Sequence, residues 1–207
     1  MIITKSDIIT KIRTAIDDIV PQATDSFSDN TDSELWQATQ HAVEQLLIEL
    51  PLELMDPSMM LPLASGAQTQ NADGIGYVKV VDGFLRFVSM KLSTWKSPVY
   101  ILIEPGSDEE MRQRSSWGRG TPDKPRVMQD SDASGNTILR YWTAGKSDGS
   151  YVHTIDLLNY IPMPTVETTT ITCALKPVAE KAVIYRAASI FFEGKKEPDT
   201  AEKFRNI

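Results

Sequence analysis

The sequence has one cysteine, Cys173, and two histidines, His41 and His153. A lone thiol excludes an intrachain disulfide and a thiolate zinc knot. Two histidines exclude a His-rich metal site. No run approaches the roughly 18 apolar residues that a membrane helix needs. Basic residues are in the minority, 21 Lys and Arg against 28 Asp and Glu. The net charge of −7 excludes the strongly basic nucleic-acid-binding class. The start, MIITKSD, brings in Asp7 before any apolar core, so no secretory leader is expected. Walker loops, nucleophile elbows and HExxH are missing. Gly74-Ile75-Gly76 and Gly118-Arg119-Gly120 lack the third glycine and the preceding strand of a dinucleotide fingerprint. What remains is an ordinary composition, 41% hydrophobic and 24% charged over 207 residues. That length supports one domain with a sizeable core.

The charge is unevenly spread. Residues 1–60 carry eleven acids and three bases, a net of −8 that leaves the remainder near +1. Such a segment reads either as the solvated face of amphipathic helices or as an acidic surface. An acidic surface would meet a basic partner or repel DNA.

Periodicity gives the order of elements. Ile8, Ile12, Ile16, Ile19 and Val20 recur at helical steps behind Thr4-Lys5-Ser6-Asp7, which has capping-box spacing. Pro21 ends that helix. Thr31-Asp32-Ser33-Glu34 has the same spacing and opens a second stripe, Leu35, Val43, Leu46, Leu47 and Leu50, stopped by Pro51. The two predict an antiparallel pair joined through Gln22 to Asn30. Residues 51–74 read as irregular, with Met55, Met59, Met60, Leu61 and Leu63 apolar for a loop. Tyr77 to Val81 predicts a strand and Asp82-Gly83 a hairpin turn. Phe84 to Leu92 fits a strand, with a helix as the other option, and Pro98 to Ile103 fits another strand.

Ser107-Asp108-Glu109-Glu110 opens a short helix to about Ser115, its acids and arginines suiting the helix dipole. Short β segments follow at Arg126 to Gln129, Thr137 to Thr143, Tyr151 to Leu158, Tyr160 to Met163 and Glu167 to Cys173. Turns at Ser134-Gly135-Asn136 and Ser147-Asp148-Gly149 punctuate them. A C-terminal helix starts at Pro177, is apolar nearly all round, and ends at Glu193-Gly194-Lys195-Lys196. Residues 198–207 are polar enough to fray or to reach a neighbour. The class is α+β: an N-terminal helix pair and a buried C-terminal helix form a helical body (1–60 and 174–207), around a central antiparallel β-rich region (75–173) with hairpin extensions, within a single domain 1–207.

Chemistry-bearing residues are scattered. Asp108, Glu109 and Glu110 supply acids for a hydrolytic or glycan-binding module, with Trp117, Tyr141, Trp142 and Tyr151 as its aromatics. His41 sits mid-helix with no acid at i±4, His153 has no evident partner, and Cys173 reads as a small core residue. Arg112, Arg114, Arg119, Lys124 and Arg126 face one acid, Asp123, around Trp117. That run fits phosphate contact, a solvated loop, or a head-to-tail contact with the acidic helices of a neighbouring copy, where Asp17 and Asp18 lie. No cofactor or metal is expected.

In order along the chain, several stretches resemble the small ring, or head-to-tail connector, proteins of crAss-like and related Bacteroides-type podophages. They are Ile8 to Asp18, Val78 to Leu92, Trp95 to Val99, Arg119 to Pro125, Tyr160 to Pro164, and the apolar C-terminal helix. The resemblance implies a non-enzymatic virion protein, a neck adaptor joining portal to tail and lining the DNA passage. It implies a homo-oligomeric ring, twelve-fold, touching the portal and adjacent ring or tail proteins, with double-stranded DNA passing non-specifically and no membrane. Assembly would take place in the host cytoplasm. Another neck, tail-tube or tail-terminator subunit is the nearest alternative.

Overall fold

A computed structural model describes residues 1–21, 30–62, 67–69, 74–80, 82–115, 117–143 and 152–206. Its elements are β1 (Ile2–Thr4), α1 (Lys5–Ile19), α2 (Thr31–Glu49), β2 (Leu61–Pro62), β3 (Ala67–Thr69), β4 (Ile75–Lys79), β5 (Phe84–Leu92), α3 (Asp108–Gln113), β6 (Arg126–Ser131), β7 (Thr137–Trp142), β8 (Val152–Pro162), β9 (Thr165–Val166), β10 (Thr170–Thr172), α4 (Glu180–Gly194) and α5 (Pro198–Arg205). All strand pairings within the named sheets whose register is defined are antiparallel. The α+β class read from the sequence is therefore the observed one. The chain forms two compact units, one of residues 1–60 with 162–207 and one of residues 61–161. The sequence boundary of the β-rich middle falls about ten residues later, so β9 and β10 join the helical unit.

In the helical unit, Ile8, Ile12 and Ile16 are fully buried along one face of α1. Burying each isoleucine contributes roughly 1.5–3 kcal/mol relative to exposure. Leu35, Val43 and Leu47 do the same for α2. α4 is the common partner, packing against α1, α2 and α5. Its small residues Ala187 and Ala188, both fully buried, admit that close approach. α2 lies mainly along α4, and its contact with α1 is minor.

Several expectations are corrected here. The first capping box does not form. Thr4 is the N-cap of α1 but makes no side-chain cap bond, because it belongs to β1; Asp7 instead pairs with Lys11 at 2.8 Å. α2 starts one residue early, with Asn30 as N-cap and Thr31 buried in the first turn. β1 itself is unannounced in sequence, and pairs Ile3 with Ile171 of β10. Residues 198–205 form α5 rather than fraying. Phe204 is 2% exposed and stacks on Phe192 at 5.5 Å.

In the second unit, β4-β7-β6 form one sheet, and β8 carries β2, β3 and β5. Val78, Met90, Leu92, Val127, Leu139, Tyr141 and Leu158 meet in its core. The expected Asp82-Gly83 hairpin is not made. Gly83 does take φ +85°, but β4 pairs with β7 and β5 with β8. A turn signal fixes the turn and leaves the strands' partners open. The two segments read at 151–158 and 160–163 are one strand, β8. Pro98 to Ile103 is not a strand; only Val99 and Ile103 make isolated bridges, and Tyr100 and Ile101 are exposed. The β6–β7 hairpin keeps its predicted turn, with Gly135 at φ +83° and the Asp132 carboxylate accepting from the Ser134 and Asn136 N–H groups. Leu63, Ser147-Asp148-Gly149 and Tyr151 lie outside the described residues.

Candidate interaction surface

The segment with the most polar chemistry runs from Ser107 to Arg126 in the second unit. Gly106, at φ +79°, turns the chain into α3. Ser107 Oγ accepts the Glu110 N–H at 3.3 Å, and Glu110 reaches back to the Gly106 N–H at 2.7 Å. The short helix expected to open at Ser107 is therefore capped by its own serine, with the Glu110 carboxylate reaching one residue further back on the chain than a capping box would put it. The Gly106 N–H and, next, the Arg114 guanidinium hold the Glu110 carboxyl below the usual carboxylate range.

Gln113 ends α3 and is 2% exposed. Its Nε2 donates to the Glu109 carbonyl at 3.1 Å, and its Oε1 accepts the Gly120 N–H at 2.8 Å. Its own carbonyl accepts from Arg119 Nε at 3.2 Å. Two glycines let the following loop lie flat. A Cβ on Gly118 would stand 2.5 Å from the Arg112 carbonyl oxygen, and one on Gly120 would stand 2.4 Å from that of Trp142. Thr121 and Lys124 then bridge, and Lys96 Nζ meets Asp123 at 2.8 Å. Between these anchors Trp117 stands 98% exposed. Met111 is also exposed.

The basic run changes character in three dimensions. Glu109 pairs with Arg126 at 3.0 Å and Glu110 with Arg114 at 3.3 Å. The acids of the first turn of α3 therefore neutralise two of the five cations, and Arg119 is drawn into the clamp. Among the described residues, Arg112 and Lys124 make no side-chain ion pair. Asp17 and Asp18 are exposed in the last turn of α1, in the other unit, where no basic residue balances the negative end of the helix.

The units differ sharply in charge. Residues 1–60 and 162–207 hold 17 acids and 10 Lys and Arg, whereas residues 61–161 hold 11 of each. The whole net charge of −7 thus resides in the helical unit.

Of the acids and aromatics read for a glycan-binding or hydrolytic module, several are engaged or buried. Glu109 and Glu110 are committed to ion pairs, and the lowered Glu110 carboxyl is the opposite of what a general acid needs. Tyr141 and Trp142 are buried, and burial pushes the Tyr141 hydroxyl up to about 12. His41 is exposed on α2 with Glu44, an acid at i+3, at 3.9 Å. Cys173 is buried and its thiol is pushed up by that burial, as suits a core residue. The side chain of His153 is outside the described residues. Among the described residues no cluster of three His, Cys, Asp or Glu could hold a metal, and no helix is long and apolar enough to cross a membrane.

A second feature was not visible in the sequence. In the helical unit, α2 and α4 leave a groove of about 290 Å³. Ala38, Ile190 and Phe191 give it an apolar floor, with Glu34, Gln37 and His41 along the α2 side. No protein-family model matches the chain, and no curated protein matches it.

Proposed function

We propose that this chain is a non-enzymatic virion structural protein, a connector-ring subunit that joins a phage portal to the tail. The observation that carries the reading is the use made of the 107–126 segment. Its buried glutamine, its two closely packed glycines and its ion pairs fix a loop, and the loop presents Trp117 to solvent. A rigid aromatic among arginines serves protein contact, because such side chains bury much area at small entropic cost. Charge supports the same reading. A symmetric contact through the helical unit would press two −7 surfaces together, whereas a head-to-tail contact sets that unit against a neutral one. Head-to-tail contacts close into rings when the rotation permits. An acidic inner wall would let DNA slide past by repulsion. The phage assignment itself rests on the resemblance of the ordered stretches from Ile8 to the C-terminal helix.

The test is negative-stain microscopy of the full chain mixed with the portal encoded in the same genome. A new layer of density on one end of the portal ring is the expected result and would also give the symmetry. Bare portals with both proteins intact would overturn the portal position, and a lower neck or tail position would then be tested.

A further inference from the structure

We propose that α5 is an exchangeable arm hinged at Lys196: between two copies of this chain, α5 of one docks on the α4 surface that the other's own α5 covers in the closed chain. The proposal needs only two copies of the chain and stands apart from the portal reading. The turn between the helices carries it. The Lys196 N–H donates to the Glu193 carbonyl at 3.0 Å, and the Glu197 N–H to that of Phe192 at 3.0 Å. This pair of bonds is a Schellman ending, which sets one residue, ordinarily glycine, in the left-handed region. Here that residue is Lys196, at φ +62°, and among the described residues no other non-glycine has a positive φ. Gly194 lies inside α4, two residues too early to take the position. A side chain in the left-handed region works against the closed turn. Pro198, at the start of α5, bars a continuous α4–α5 helix and biases Glu197 toward extended backbone. An opened hinge therefore runs extended through residues 195–197 and spans about 10 Å.

The occupant is a second copy because the matching surfaces already exist. Ala201 and Phe204 are buried, Phe204 stacks on Phe192, and Arg205 pairs with Glu193. The stack and the ion pair join α5 to α4, and they re-form unchanged when the two helices belong to different copies. No new charge match is needed. α5 carries Asp199 and Glu202 against Lys203 and Arg205, so it crosses to an acidic unit without net charge. Tight docking thus governs how slowly arms exchange, and leaves the balance between closed and exchanged forms to the hinge and to concentration. A short connection gives a chain's own arm an effective concentration in the millimolar range. The left-handed Lys196 lowers that about fivefold. Exchange is therefore expected at millimolar protein, or wherever an assembly holds copies side by side.

The test mixes two full-chain variants, Glu193→Cys and Arg205→Cys, at about 1 mM. They exchange natively over days and, in parallel, by unfolding and refolding together, which removes the kinetic barrier. The mixture is then diluted and treated with a short bis-maleimide. The Phe204 and Phe192 anchors are untouched, and the exposed ion pair is lost equally from closed and exchanged forms. A chain carrying both cysteines, treated dilute, shows that the reagent spans the pair. Each single variant alone measures random collision. The buried Cys173 is retained throughout. Interchain product joining 193 to 205, identified by peptide mass, should exceed collision at least about tenfold. Lys196→Gly in both chains should lower it about fivefold, and Lys196→Val, β-branched at a left-handed position, should raise it. Fraying of α5 would instead reduce the contact within and between chains alike. Interchain product at the collision level by both routes, while the double variant crosslinks within its chain, would overturn the arm. Exchange indifferent to residue 196 would overturn its hinge. Assembly on the portal without exchange counts against the arm alone, and exchange beside bare portals counts against the portal position alone.

Discussion

The side-chain oxygen of Gln113 accepts the backbone N–H of Gly120 at 2.8 Å, and Gln113 is buried. One residue at the end of a six-residue helix thereby fixes the far end of the loop that carries Trp117. Gln113→Ala removes that acceptor and the donor to the Glu109 carbonyl together. It leaves a buried N–H unsatisfied, a cost of about 1–3 kcal/mol. Chemical denaturation of the full chain should show that loss. Amide exchange at Gly120 should accelerate more than at the β6–β7 ladder. Equal acceleration everywhere would mean that Gln113 supports the core rather than the loop.

Gly76 and Gly135 should respond to alanine for different reasons. A Cβ on Gly76 would lie 2.2 Å from the tip of the fully buried Tyr141 ring. Overpacking of that kind costs about 1–3 kcal/mol. At Gly135 the space is open and only the positive φ of +83° resists a side chain, worth about 1 kcal/mol. Gly76→Ala is therefore expected to lower the thermal midpoint further than Gly135→Ala. The reverse order would show that the Tyr141 ring moves aside freely.

The end of the chain offers a sharper contrast. α5 buries Ala201 and Phe204 and little else, and Phe204 stacks on Phe192. Phe204→Ala should cost about 3–5 kcal/mol if α5 unfolds with the whole helical unit. If α5 opens by itself, the global midpoint will hardly move and protease will cut near residues 197–205 in the native state. The stacking on Phe192, a buried residue in the last turn of α4, favours the first outcome.

Acid should loosen two turns before it unfolds the core. Glu110 and Asp132 both have carboxyls held below their usual range, by the Gly106 N–H and by Asn136 respectively. A depressed carboxylate binds fewer protons folded than unfolded. Its contribution is present above the ordinary carboxylate range and is lost as pH falls through the folded value. The Gly106 and Asn136 amide resonances should therefore titrate below the ordinary carboxylate range. Glu110→Gln should abolish the Gly106 titration and leave that of Asn136 unchanged.

These positions also show what a sequence reader can see. The Ile8-Ile12-Ile16 stripe and the opening of a short helix at Ser107 are local, and periodicity or composition exposes them directly. β1 and α5 were hidden for opposite reasons. β1 is three residues long and stands directly against a strong helix pattern; α5 has only two apolar anchors in a polar tail. The Asp82-Gly83 turn is real, yet partner choice for β4 and β5 is a long-range matter that no turn residue encodes. The basic run was overestimated because its neutralising acids precede it in the chain. Glu109 meets Arg126 only after the loop has folded back. The exposure of Trp117 and the burial of Tyr141 and Trp142 likewise depend on packing, since all three read alike as aromatics in polar surroundings.

Charge reversal on the loop separates its structural from its interfacial cations. Arg119 donates to the Gln113 carbonyl and Arg114 pairs with Glu110, so reversing either would disturb the clamp itself. Arg112 and Lys124 are the better choices, being exposed with no side-chain ion pair among the described residues. Arg112→Glu with Lys124→Glu should leave the unfolding free energy within about 0.5 kcal/mol of the parent, as expected for surface changes. Assembly on the portal should nevertheless fall steeply at low salt, where four charge steps against the −7 unit are least screened. Raising salt should narrow the difference between variant and parent. Trp117→Ala should lose assembly at every salt concentration, because burying an indole is not an electrostatic contribution. A charge-reversed chain that assembles like the parent at low salt would remove the loop from the contact.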